Sequence, residues 1–169
     1  EKLLALQDKD QRLRSLRQEL QAIPAEITTK EKLIADSASR LEQARTRAKM
    51  IEVEKKTLQV EASSKRDQIA RYKTQQMQTR KNEEFTALAH EIAGAEKVVS
   101  GIEDKELALM EEAESLRPQI AIAEKTYAEE KARYDGQISV LREKSTNIQS
   151  RIAELEAIRP AATEGIDED

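Results

Sequence analysis

His90 is the single histidine of the chain, and there is no cysteine. A nucleophile with its base, or a metal held by imidazole and thiolate, needs several such groups converging on one point. His90 has no such company and reads as a helix-surface residue. No Gly-rich phosphate-cradling segment occurs. The run Glu103, Asp104, Glu106, Glu111, Glu112 and Glu114 could draw cations or a basic partner. On an exposed helix, however, carboxylates stay solvated, without an enclosed site to move their pKa values. A wetted face accounts for them. The expectation is a protein that is not an enzyme, with no catalytic group, no metal site and no cofactor in this chain.

Recognition is better served near the middle of the chain. Arg71, Lys73, Arg80 and Lys81 crowd a short stretch with Tyr72, Met77 and Phe85 among them. Basic groups interleaved with apolar side chains suit an acidic protein segment or a nucleic acid. The expected interaction set is Arg71, Tyr72, Lys73, Arg80, Lys81 and Phe85, with Phe85 as anchor. Glu83 and Glu84 offset half of that charge, so a solvated, well-capped turn is the competing reading.

The elements that must position these groups follow from composition. Of 169 residues, 37% are charged, 38% hydrophobic and 2% aromatic, with four Gly and three Pro. Tyr72, Phe85, Tyr127 and Tyr134 are too few aromatics to fill the core of a sandwich, a barrel or a doubly wound sheet. No apolar run approaches the ~20 residues of a membrane helix. The first residues, Glu1-Lys2-Leu3-Leu4, carry neither Met nor a signal sequence. With no cysteine, this fits a cytoplasmic protein. The net charge of −4 gives no general pull toward nucleic acid or an anionic membrane.

Mostly apolar residues recur every seventh position: Leu6, Leu13, Leu20, Ile27, Ile34, Leu41, Ala48, then Lys55, Ala62, Ile69 and the polar Gln76. Leu16, Ile23, Ala44, Ile51, Leu58 and Tyr72 lie three positions on, as in a coiled-coil seam. A second seam runs Phe85, Ile92, Val99, Glu106, Ala113, Ile120, Tyr127, Tyr134, Leu141, Ile148 and Leu155. Its companions shift by one residue between Tyr127 and Ile138, as at a stutter. The two seams are out of phase, which places a break near residue 80, with Asn82 as N-cap and Glu83 and Glu84 at the positive end of the new helix.

The fold class is therefore all-α: a long antiparallel coiled-coil hairpin over 1–160, with helix 1 at about 1–78, a turn at about 79–82 and helix 2 at about 83–159. At 1.5 Å per residue each helix would extend ~110 Å. Folding back aligns Leu20 with Leu141, Leu41 with Ile120, Ala62 with Val99, Ile69 with Ile92 and Gln76 with Phe85. It also sets Lys55, the one charge of its seam, against Glu106, the one charge of the other, as a pair that fixes register. Charge agrees: residues 1–81 hold 19 Lys and Arg against 12 Asp and Glu, and residues 82–169 hold 10 against 21.

Pro24 and Pro118 fall inside helical pattern, where a kink or break is expected. Pro160 and Gly165 mark the end of helix 2, leaving 161–169 as an acidic linker or tail. Gly94, Gly101 and Gly136 sit beside the seam, as expected for close helix approach or local flexibility, with a binding groove as the other reading.

The segment from Thr79-Arg-Lys-Asn-Glu-Glu-Phe85 through Leu88 to Glu91-Ile92, followed by Ile102-Glu-Asp-Lys-Glu-Leu-Ala-Leu-Met110-Glu-Glu, resembles a bacterial family of zinc-ribbon proteins. These place a long N-terminal coiled-coil hairpin before a small C4-type zinc ribbon. The opening Leu3, Leu6, Gln7, Asp10, Leu13, Leu16, Leu20 and Ile23-Pro24 is similar too. This sequence lacks the two Cys-x-x-Cys pairs of the ribbon: either the ribbon is left out or lost, with any zinc in a missing C-terminal domain, or this is a member without one. The resemblance implies an adaptor or chaperone for flagellar or type III secretion components or the alternative sigma factor, with nucleic acid reached mainly through the ribbon. It carries over no individual contact residue. Two other readings remain: a purely structural arm or spacer of a larger assembly, and a periplasmic holdase. The oligomeric state is left open.

Overall fold

The structure, a computed structural model, describes residues 2–163. Two helices account for nearly all of them: α1, Lys2–Gln78, and α2, Asn82–Thr163, joined by residues 79–81. So short a connection forces the helices to run antiparallel. The hairpin divides into two units. A turn unit comprises Arg40–Glu124, and a terminal unit comprises the described part of Glu1–Ser39 and Lys125–Asp169.

In the turn unit, Leu41, Ile51, Ala62 and Ile69 of α1 are buried, as are Ile92, Ala95, Val99 and Ile102 of α2. Ile51 is fully enclosed. Ile69, Ile92, Ala95 and Val99 form one cluster, with Tyr72 packed against it. The expected layer Ile69–Ile92 is thus realised.

In the terminal unit, Leu16, Ile23 and Ile148 form a cluster flanked by Leu20, Ile27, Leu141, Ile152 and Leu155. It contains the layer Leu20–Leu141. Ser37 is buried as well, at 3% exposure. The stutter is visible in burial: inward positions pass through Tyr127, Glu130, Tyr134 and Ile138, then Leu141, Ser145 and Ile148. Two successive four-residue steps replace the usual alternation of three and four. Beside this shift, Lys30 turns its ammonium outward. It donates to Gln137 at 2.8 Å and lies 5.8 Å from the Tyr134 ring centre.

The prolines depart from expectation. α1 runs unbroken through Pro24, and α2 runs unbroken through Pro118 and Pro160 to Thr163. Proline removes one helical donor and crowds the preceding turn, but the seam on both sides keeps packing. Ile23, next to Pro24, is 3% exposed. Residues 161–163 are helical, and the rest of the expected acidic tail lies outside the described residues.

Candidate protein-interaction site

The turn is built by a phase break. The Thr79 N–H still donates to the Gln75 carbonyl at 3.0 Å, continuing the bonding pattern of α1. The Phe85 N–H donates to the Lys81 carbonyl at 3.0 Å, opening that of α2. Lys81, and not Asn82, therefore occupies the capping position. Thr79 supplies the polar closure instead. Its hydroxyl donates to the Glu84 carboxylate at 2.7 Å and accepts weakly from the Lys81 N–H at 3.4 Å.

The six expected interaction residues divide in two. Tyr72 is drawn inward against the Ile69 cluster, and its hydroxyl accepts from Gln68 at 2.9 Å. Lys73 reaches Glu96 at 3.4 Å, across the hairpin. Lys81 is held loosely by Glu84 at 3.9 Å. Arg71 and Arg80 are exposed and enter no ion pair among the described residues. Phe85 is 50% exposed, although every later member of its seam turns inward. Its backbone carbonyl accepts from Gln76 at 3.2 Å, which ties the turn across the expected Gln76–Phe85 layer. Met77, at 88% exposure, adds a second free apolar side chain.

The register pair is corrected. Lys55 forms its ion pair with Glu52 on its own helix, at 3.5 Å, and not with Glu106. Both Lys55 and Glu106 are half-buried at the seam. A long ammonium stem reaches the solvated Glu52 at less desolvation cost than an inward Glu106. The cross-helix charge lies one step outside the seam. Arg47 donates two hydrogen bonds to Glu112, at 2.6 and 2.8 Å, and one to Glu54 at 3.2 Å. Hydrogen bonding from Arg47 holds the Glu112 carboxyl below its ordinary value, against a smaller upward push from desolvation. The same contact raises Arg47, keeping it protonated. Sequence reasoning missed this bidentate fork. The spacing of Arg47 and Glu54 on one heptad position was readable, but nothing in the sequence singles out Glu112 among its acidic neighbours.

Close helix approach is not what the glycines provide. A Cβ built on Gly94, Gly101 or Gly136 would meet nothing within 4 Å. Gly94 instead borders a polar groove of about 260 Å³ with Tyr72 and His90. A larger groove of about 490 Å³ lies further from the turn, between Val53, Thr57 and Leu58 of α1 and Ala108 and Leu109 of α2. Among the described residues, no helix is long and apolar enough to cross a membrane, and no group of His, Asp or Glu side chains forms a metal site.

No family model matches the sequence, and no curated protein matches it. Among solved structures, the chain is similar to CT398 from Chlamydia trachomatis, with a TM-score of 0.85 over 96% of this chain and 69% of that one. The sequences are 20% identical, so the likeness speaks for the fold: a long helical hairpin also built by a bacterial protein.

Proposed function

We propose that this chain is a non-enzymatic interaction scaffold whose turn receives an acidic protein segment bearing apolar anchors. One observation carries the reading. Phe85 heads a seam that is otherwise drawn inward, yet leaves half of its surface in solvent. Arg71 and Arg80 are exposed and enter no ion pair among the described residues, and Met77 lies on the last turn of α1. Apolar anchors within a charged rim are the usual composition of a hot spot. The arginines steer an acidic partner by long-range attraction, so binding weakens as salt rises.

Within this reading the chain serves as an adaptor or chaperone of secretion, flagellar or sigma-factor components, followed by a zinc ribbon and working in the cytoplasm. The turn-segment resemblance alone supports those details, and gene sequence encoding two Cys-x-x-Cys pairs after Asp169 tests the ribbon. A purely structural arm is the second reading, favoured by the self-contained Thr79–Glu84 closure.

The test is affinity capture with the wild-type hairpin, Phe85→Ala and Arg71→Glu with Arg80→Glu, each checked for helicity by circular dichroism. Loss of one discrete acidic partner from both variants supports the proposal. An unchanged partner set moves the function to the shaft or favours the structural arm.

A further inference from the structure

Features that weaken a helical backbone fall at one level of the terminal unit, on both helices. On α1, Pro24 lacks the N–H that would donate to the Leu20 carbonyl, and its ring crowds that turn. In the turn that follows, the Thr28 and Thr29 hydroxyls donate to the Pro24 and Ala25 carbonyls, each at 2.9 Å. Such back-bonding competes with the helical ladder and loosens it. On α2, Gly136 lowers helix stability relative to alanine, and a Cβ built there would meet nothing within 4 Å. The two places face each other. Glu26 and Lys30 line one groove with Arg133, Gly136 and Gln137, and Lys30 donates to Gln137 across the hairpin.

The seam is irregular at the same level. From Glu130 through Tyr134 to Ile138, α2 takes two four-residue steps. Opposite, the inward positions of α1 pass from Lys30 through Ile27 to Ile23 in steps of three and four, with no matching shift. α2 thus uses eight residues where α1 uses seven, and the helices must adjust their winding within this stretch. Burial beside it is thin. Between Ile23 and Ser37 on α1, and between Lys125 and Ile138 on α2, no residue is buried, and Ile27, Tyr127 and Tyr134 are only half-buried. On the other side, Leu16, Ile23 and Ile148 form their cluster with Leu20 and Leu141 packed against it.

We propose that the level of Pro24 and Gly136 is a flexion point built into the terminal unit. The backbone bonds of both helices open there together, while the cluster around Leu16 and Ile148 stays packed. Neither Pro24 nor Gly136 serves the seam, and alanine would suit both positions better in a rigid helix. Local opening of this kind concentrates where buried apolar contacts are few and the backbone ladder is weak. The part of the hairpin beyond Leu20 and Leu141 turns at this level without coming apart.

Hydrogen exchange of the full chain, read peptide by peptide by mass spectrometry, tests it. The wild type is expected to show a local maximum of exchange at 21–28 and 134–140. Exchange is slower at 13–20 and 141–152 toward the ends, and at 41–51 and 92–102 toward the turn. Pro24→Ala is expected to slow exchange at this level at least about tenfold, and Gly136→Ala about fivefold, the factor that matches the helix penalty of glycine. Each is expected to do so in the facing helix as well as in its own. Gly101→Ala, in the turn unit, makes the same propensity gain and is expected to leave 21–28 and 134–140 unchanged. Exchange that falls smoothly from the ends inward overturns the proposal. So does slowing confined to the substituted helix, which leaves two separate weak turns. Equal slowing by Gly101→Ala also overturns it, by assigning the exchange to unfolding of the whole chain.

Discussion

Arg47 shows how one residue ties two helices in a chain with little room for burial. Its guanidinium spans Glu112 and Glu54, and geometry this well matched is the kind of exposed pair that contributes measurably. Because folding lowers the Glu112 pKa, its contribution is complete above the ordinary carboxylate pKa of ~4.3 and fades as pH falls through the folded value. Glu112→Gln is therefore expected to melt below the wild type at neutral pH and to converge with it in acid, followed by circular dichroism at several pH values. A gap that persists in acid would assign the effect to packing. Ile51, the one fully enclosed large side chain among the described residues, is the opposite case. Ile51→Ala is expected to cost about 2–5 kcal/mol in urea unfolding, and a cost below about 1 kcal/mol would mean that the seam collapses around the vacancy. Since Lys55 pairs along its own helix, a double-mutant cycle of Lys55→Leu with Glu106→Leu is expected to show coupling under about 0.5 kcal/mol. Larger coupling would restore the cross-helix pair.

At the scale of the element, the unbroken helices through Pro24 and Pro118 are the informative departure. A helix-interior proline costs about 3 kcal/mol in an isolated helix, yet packing on both sides of Pro24 keeps α1 continuous. Pro24→Ala is thus expected to stabilise the chain, by up to about 3 kcal/mol in urea unfolding; no gain would mean that the local backbone has already relieved the clash. The turn obeys the same logic in reverse. No Gly or Pro stops α1, and the helix ends because its seam would next present polar Glu83 and His90 inward. Thr79 then closes the gap through Glu84. Thr79→Ala is expected to destabilise by about 1 kcal/mol, as loss of a cap does.

For the molecule as a whole, charge separation between the helices works through many small terms. In the turn unit the cross-helix ion pairs all run from basic α1 to acidic α2: Arg45–Glu124, Arg47–Glu112, Arg66–Glu103 and Lys73–Glu96. In the terminal unit the direction is mixed. Arg17–Glu156 follows the same sense, whereas Arg142–Glu31, Lys144–Glu19 and Arg159–Asp10 oppose it. All are substantially exposed and individually weak, so they select the partner helix more than they hold it. That the partner lies in the same chain is open to measurement. Spin labels replacing Leu41 and Ile120 are expected to show a short separation that survives dilution with unlabelled protein, with helix axes about 8–10 Å apart. Proximity lost on dilution would place the partner helix in another chain.

The seven-residue period by itself determined the two helices, the break near residue 80 and the shift before Ile138, because the direction of each side chain around a helix follows from its number alone. Charge imbalance determined that each helix prefers the other to itself. What periodicity could not decide is what happens to long, flexible or small side chains once two helices meet. Lys55 turns to Glu52, Tyr72 leaves the surface, Ser37 is enclosed, and the glycines face open space. These outcomes depend on distances between residues far apart in the chain, and only the packed hairpin sets those distances.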